Sequence, residues 1–153
     1  MKISEFLREE QTLPDLAAAD KAGALEEICL ALARAQPGLE KGRLLETLLA
    51  REKLGSTGIG DGVAIPHGKL PGLEGLVAAF GRSKGGIDFQ SIDGQPTYLF
   101  FVLFAPESSA GLHLKALARI SRLFRNPAFR KSILEAEGEG AIYRLIAEED
   151  ARY

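Results

Sequence analysis

The feature that most constrains the fold is a run of eight apolar residues from Tyr98 to Ala105. A strand that is wet on one face alternates apolar and polar residues, whereas a strand covered on both faces is apolar throughout. Eight residues are also far fewer than the roughly 18 to 20 that cross a bilayer. The run therefore predicts a central, buried strand over about residues 97–104, with other layers of structure on both of its faces.

Segments with helical spacing lie on both sides of this strand in the sequence. The helix near the start, for example, has apolar residues at 25, 28, 32 and 35, which repeat with the helical period. One helix is predicted to end at about residue 35. Four more are predicted over about residues 41–53, 109–124, 127–136 and 140–149. Further short strands are predicted at 63–66 and 76–81. Helices at both ends of the chain with strands between them indicate a layered α/β fold.

Length and charge describe one ordinary globular domain, which we expect over residues 3–150. A chain of 153 residues buries a sizeable core, and a net charge of −2 gives no electrostatic reason to bind nucleic acid. The single Cys29 cannot form an internal disulfide, and we expect it to be a buried small hydrophobe. Charged residues near the N-terminus interrupt the apolar stretch that a signal peptide needs, so we expect no signal peptide. We expect a cytoplasmic location without direct membrane insertion.

Residues 51–70 carry the candidate chemistry, because they place His67 behind a loop with four glycines. Imidazole is a good nucleophile at neutral pH, and Pro66 and Gly68 suit the exit of a short strand. The loop offers the hydroxyls of Ser56 and Thr57 and backbone N–H groups such as that of Gly58 to an anion. This arrangement suggests phosphoryl transfer through the histidine itself. The plainer interpretation is a histidine that caps a strand end, with hydroxyls and glycines that only shape a turn.

His113 and Arg51 are the other two candidates. His113 lies in the first turn of the long helix, just past the carboxyl end of the central strand, and its spacing directs it along the apolar face. Arg51 ends the second helix beside its leucine face and offers two parallel donors to a phosphoryl group. A satisfied core histidine and a cation favoured by the helix dipole are the alternative interpretations.

Nucleotide-binding motifs are absent from the glycine-rich segment. The Walker A motif needs Gly-x-x-x-x-Gly-Lys-Ser/Thr, and the stretch Gly58-Ile-Gly-Asp-Gly62 also differs from Gly-x-Gly-x-x-Gly. Two histidines without a carboxylate at ligand spacing make a poor zinc site. We therefore expect neither a metal nor a cofactor.

Three segments resemble the IIA domains of the bacterial phosphoenolpyruvate-dependent phosphotransferase system, in the class that contains fructose, mannitol and nitrogen-regulatory members. They are residues 51–70, the stretch from Ile87 to Glu107, and Gly111-Leu112-His113-Leu114. The sequence Pro-His-Gly-Lys-Leu at 66–70 is most similar to the nitrogen-regulatory branch. The resemblance implies a mixed β-sheet flanked by helices on both faces.

The resemblance also assigns roles to the candidate residues. It implies that His67 accepts and donates a phosphoryl group, and that its second ring nitrogen donates to a backbone carbonyl. It also implies that His113 supports His67 by hydrogen bonding and that Arg51 binds the phosphoryl oxygens. The donor would be an HPr-like phosphocarrier protein, and the partner downstream either a regulatory target or a IIB domain. Such a protein is a phosphotransferase component with a phosphohistidine intermediate rather than a free-standing metabolic enzyme.

Several alternatives stay open at this point. A sugar-specific IIA component would pass its phosphoryl group to a IIB domain, whereas a regulatory one would act by binding target proteins. A different class is a phosphohydrolase with a histidine nucleophile or a metal, although a histidine phosphatase would place Arg where this chain has Pro66. A third is a binding module without phosphorylation. Relatives commonly carry Asn where this chain has Asp61, which puts a carboxylate near the site.

Overall fold

The computed structural model describes residues 1–153 and has a six-stranded mixed sheet with helices on both faces, as the sequence analysis predicts. The strands are β1 (Thr12–Leu13), β2 (Gly58–Gly60), β3 (Val63–Ala64), β4 (His67–Leu70), β5 (Val77–Ile87) and β6 (Thr97–Pro106). The α-helices are α1 (Lys21–Ala35), α2 (Lys41–Glu52), α3 (Ala110–Arg125), α4 (Pro127–Glu135) and α5 (Glu139–Asp150). Two short 3₁₀ helices, Ile3–Glu5 and Glu9–Gln11, precede β1.

The apolar run forms β6, the central strand of the sheet, as predicted. β6 pairs antiparallel with β5 on one side and parallel with β3 and β4 on the other, and β1 and β2 lie at the edges. Its side chains alternate between two cores, because successive residues of a strand point to opposite faces. Leu99, Phe101 and Leu103 pack under α3, α4 and α5, whereas their neighbours in β6 pack under α1 and α2.

β3 and β4 are consecutive segments of backbone that pair with the same edge of β6. Val63 lies opposite Leu99 and His67 lies opposite Leu103, so no residue is inserted between the two segments. Pro66 lacks an N–H group and interrupts the pairing, although its carbonyl still accepts a hydrogen bond of 2.9 Å from the Leu103 N–H. The prediction that the strand ends before His67 is therefore wrong: the strand resumes at His67.

Part of the glycine-rich segment forms a strand instead of the loop that the sequence predicts. Gly58 to Gly60 form the edge strand β2, which pairs antiparallel with β3. The connection is tight because Gly60, Asp61 and Gly62 all have positive φ, of 94°, 57° and 77°. Glycine adopts this backbone without strain, and Asp and Asn tolerate it better than most residues.

Candidate functional site

His67 is held by its own strand. Odd-numbered residues from Val63 to His67 face α3, so the imidazole is directed to the α3 side of the sheet, where it is half-buried. Its Nδ1 lies 2.7 Å from the carbonyl oxygen of Ile65. A carbonyl oxygen only accepts, so Nδ1 carries the proton and Nε2 keeps the lone pair. The hydrogen bond to a backbone carbonyl is the one that the sequence analysis predicts.

His113 lies against His67 from the next layer. The two ring centroids are 5.3 Å apart with the planes at 72°, an edge-to-face arrangement. His113 is buried on the apolar face of α3, as its spacing predicts, and its Nε2 has no hydrogen-bond partner in the protein. A buried polar nitrogen without a partner is costly. It is available to a group that binds between the rings.

Burial and neighbouring charge disfavour the protonated form of both histidines. Burial lowers the pKa of His67, the Ile65 carbonyl opposes that shift, and the nearby Arg51 charge lowers the pKa further. Burial also lowers the pKa of His113, with smaller contributions from His67 and from Lys69, which lies two residues after His67 on β4. Both rings are therefore neutral at neutral pH, and the nucleophilic lone pair is free.

Arg51 lies in the last turn of α2. Its guanidinium donates a hydrogen bond of 2.9 Å from Nη1 to the carbonyl of Gly55, which fixes the side chain to the loop that follows α2. Its positive charge is one of the causes that lower the pKa of His67. The remaining guanidinium N–H groups make no hydrogen bond within the protein and can bind an anion.

The three predicted phosphate-binding residues use their donors within the protein. The Ser56 hydroxyl donates to the Phe89 carbonyl at 2.7 Å and accepts from the Gly58 N–H at 3.0 Å. Both the N–H and the hydroxyl of Thr57 bind the carboxylate of Glu52. A Cβ at Gly58 would lie 3.0 Å from the Cα of Ser91, so close packing also requires glycine there. These hydrogen bonds favour a role in shaping the loop for all three.

Glu52 is the residue at the site that the sequence analysis misses. Its side chain is 5% exposed, binds both donors of Thr57 and forms an ion pair of 2.9 Å with Lys21 at the start of α1. One feature of the sequence could have identified Glu52. A carboxylate in the last turn of a helix is opposed by the helix dipole, so it indicates a specific partner nearby.

The comparisons with known proteins identify the class. The family described as "Phosphoenolpyruvate-dependent sugar phosphotransferase system, EIIA 2" matches residues 5–149. The chain belongs to this family. It is 46% identical over 147 residues to a nitrogen regulatory protein of Bradyrhizobium diazoefficiens, with 96% of this chain and 95% of that protein covered.

Two further similarities bear on the branch. The solved structure of the nitrogen regulatory protein IIA-Ntr from Neisseria meningitidis has a TM-score of 0.88 and 35% identity, covering 94% of this chain and 98% of that one. The fructose-specific EIIABC component of Bacillus subtilis is 39% identical over 150 residues, which are 98% of this chain and 24% of that protein. Both nitrogen-regulatory and sugar-specific relatives are therefore similar to this chain.

Two features of the structure concern the expected absences. No helix has the length and apolar content needed to cross a membrane. No three His, Cys, Asp or Glu side chains are grouped in a way that would hold a metal ion. Cys29 is fully buried, and burial raises the pKa of its thiol to about 12.

Proposed function

We propose that this protein is a regulatory phosphotransferase component that accepts a phosphoryl group on Nε2 of His67 from an HPr-like phosphocarrier. The observation that carries the proposal is the pair of neutral imidazoles, one tethered through Nδ1 and the other with an unpartnered Nε2. The match to the family over residues 5–149 also supports the proposal.

The proposed transfer is an exchange between two imidazoles. Nε2 of His67 attacks the phosphorus of the carrier's phosphohistidine, a new N–P bond forms, and the carrier's N–P bond breaks with its electron pair returning to the carrier's ring. The Nδ1–H of His67 then stabilises the positive charge that develops on the ring by donating to the Ile65 carbonyl. His113 Nε2–H and Arg51 donate to the phosphoryl oxygens, and most of the catalysis is positioning.

Regulation is favoured over sugar transport by sequence identity. The nitrogen regulatory relative is 46% identical to this chain, whereas the fructose-specific relative is 39% identical. We propose that the unphosphorylated form binds the regulatory target. A target that fits the neutral surface around His67 would meet an unpaired dianion after phosphorylation, at a cost of several kcal/mol if the group is desolvated.

The test is reconstitution of the relay. Purified protein, mixed with phosphoenolpyruvate, the first enzyme of the relay and its carrier, should gain one acid-labile, base-stable phosphoryl group by mass spectrometry. His67→Ala should abolish labelling with an unchanged circular dichroism spectrum, while Arg51→Ala should slow labelling. Labelling that persists in His67→Ala would remove the assignment.

The sugar-specific alternative is supported by the 39% identity to the fructose-specific component. A purified fructose-specific IIB domain distinguishes it. Transfer from the phosphorylated protein to that domain at a rate close to that of the first transfer would favour sugar transport, whereas the regulatory proposal expects it to be slow.

A further inference from the structure

α3 and α4 carry a charge pattern unlike that of the rest of the chain. Between Glu107 and Glu135 there is no Asp or Glu, so all 21 acidic residues lie outside this stretch. The stretch nevertheless has six cationic side chains: Lys115, Arg119, Arg122, Arg125, Arg130 and Lys131. A protein with a net charge of −2 therefore has one strongly basic region, built mainly on α3, whose first turn contains His113.

Three of these cations form what we call the basic face: Lys115, Arg122 and Arg125. All three are exposed, and none takes part in an ion pair. At 100° per residue they lie within about 80° of one another around α3. Arg119 lies on the same side, but Asp150 binds it internally. The guanidinium of Arg122 lies 5.5 Å from the ring centroid of Tyr153, which leaves its N–H groups free to bind an anion.

A groove of about 350 Å³ runs along this side of α3. It is lined by Met1, Lys115, Ala118, Arg119 and Arg122, with no carboxylate among them. Met1 and Ala118 supply apolar surface between cationic walls. The Asp150 carboxylate that binds Arg119 is 2% exposed. Glu148 and Glu149 of α5 line a separate hollow beside Asn126, the residue that follows α3.

We propose that the basic face binds an acidic polypeptide segment of the regulatory target, with an apolar side chain seated in the groove. Unpaired cations next to one another on a helix are complementary to carboxylates. A volume of about 350 Å³ and the apolar surface of Met1 and Ala118 suit a side chain rather than the phosphates of a duplex or a flat bilayer surface. The identity of the partner as a regulatory target rests on the proposed function, and the surface itself does not.

The basic face and the imidazole pair share helix α3. Lys115 is two residues after His113, but at 100° per residue its side chain lies about 160° around α3 from the buried His113. A segment on the basic face therefore lies on the solvent side of the helix, across α3 from the imidazole pair. A phosphoryl group adds about −1.5 to −2 charges. This charge repels an acidic segment across the helix rather than by direct contact, so phosphorylation of His67 promotes release of the acidic target.

The experiment measures binding of a defined probe. A fluorescein-labelled helical peptide of about 15 residues, with glutamates on one side and a leucine at its centre, is titrated by fluorescence anisotropy. We expect Lys115→Ala/Arg122→Ala/Arg125→Ala to bind about tenfold more weakly than the parent protein. The matched control Arg8→Ala/Arg34→Ala/Arg43→Ala removes three exposed, unpaired cations elsewhere and lowers the net charge equally, and its affinity should stay within twofold.

Three outcomes would overturn the surface: no binding of the peptide by the parent protein, equal losses in both triple variants, or tighter binding of a 15-base-pair DNA duplex or of phosphatidylglycerol vesicles. A second arm uses protein phosphorylated by the relay and checked by mass. Phosphorylation should weaken peptide binding at least threefold, and unchanged binding by fully phosphorylated protein would refute the release step. If no phosphoprotein forms, the proposed function is refuted. The peptide titration of the parent protein and the two triple variants still tests the basic face in that case.

Discussion

Three features of its surroundings determine the state of His67. Ile65 fixes the proton on Nδ1, Pro66 removes a backbone donor, and burial keeps the ring neutral. His113 is neutral for the same main reason, burial. A neutral pair is what a nucleophile and a nearby hydrogen-bond donor require. The pH dependence of both activity and stability follows from it.

The phosphotransfer rate should stay level as the pH falls to the ordinary histidine value near 6.5 and should decline only at lower pH. The reason is that the folded pKa of His67 lies below that value, so the neutral nucleophile persists. The free energy of unfolding should also decrease at acidic pH. Below pH 6.5 the unfolded state takes up protons that the folded state refuses, and this contribution is lost as the pH falls through the folded pKa.

NMR titration of the two imidazoles measures the shift, with His113→Gln to assign the signals. A pKa for His67 at or above 6.5 in the folded protein would contradict the prediction.

Glu52 should affect transfer without touching the phosphoryl group. Glu52→Gln removes the ion pair with Lys21 and weakens both hydrogen bonds to Thr57, so the loop that carries the Gly55 anchor of Arg51 loosens. We expect kcat/KM for phosphotransfer to fall about three- to tenfold, with the phosphorylation site unchanged. Glu46→Gln, an exposed carboxylate on the same helix, is the control. Equal rates in the two variants would assign Glu52 to stability alone.

Residue-level predictions from the sequence succeed where the partner is local. The Ile65 carbonyl that accepts from His67 Nδ1 is only two residues away in the sequence. The partners of Ser56 are different, because its hydroxyl binds the carbonyl of Phe89, 33 residues away. No local pattern contains that pairing. The sequence therefore predicts which residues are polar and close to the site, but not whether their donors are free.

Among the elements, the contact between β4 and α2 depends on one glycine. A Cβ at Gly68 would lie 2.4 Å from Cγ2 of Thr47, whose hydroxyl is held by the Arg43 carbonyl at 2.8 Å. The sequence interpretation assigned Gly68 to a sharp strand exit. Its actual role is to let a helix approach the strand, one helical turn before Arg51.

Gly68→Ala should therefore displace α2 and slow phosphotransfer. We expect a loss of stability of about 1–3 kcal/mol from the overpacked contact. Thr47→Ala removes the clashing methyl group, so Gly68→Ala/Thr47→Ala should recover most of both losses. Urea unfolding and relay kinetics measure them. A double variant no better than Gly68→Ala would show that the clash is not the cause.

Element boundaries show why the sequence predicts the helices better than the edge strands. The five α-helices lie within a few residues of their predicted ranges, since each has its own apolar period. β1, β2 and β4 contain four residues or fewer, and β5 continues through Gly85 and Gly86 to Ile87. Such segments become strands only because a neighbouring strand supplies their hydrogen bonds.

Across the whole molecule, Arg82 joins three separate parts of the fold. It is 1% exposed, and its guanidinium donates to Pro14 before α1 and to the carbonyls of Ile133 and Ala136 at the end of α4. It also lies 3.8 Å from a carboxylate oxygen of Asp15. A buried cation on a strand cannot be recognised from hydropathy, since the same residue type is usually exposed.

Arg82→Met should cost about 3 kcal/mol in the free energy of unfolding, because it leaves several buried carbonyls without a donor. Lys84→Met is the matched control. Lys84 is two residues further along β5 and binds the same Asp15, but it is exposed, so its loss should cost less than about 0.5 kcal/mol. Chemical denaturation at neutral pH compares the two, and similar costs would contradict the buried role.

Asp150 has a consequence for how this fold is used in longer chains. Its carboxylate accepts a hydrogen bond of 2.7 Å from the N–H of Ile3, so the first and last elements meet at one point. The path of the backbone is nearly a closed ring. A chain that enters and leaves at one place can be inserted into a larger polypeptide without disturbing the fold. A circular permutant joined across this point and reopened at the exposed Gly72 should keep the imidazole pair intact.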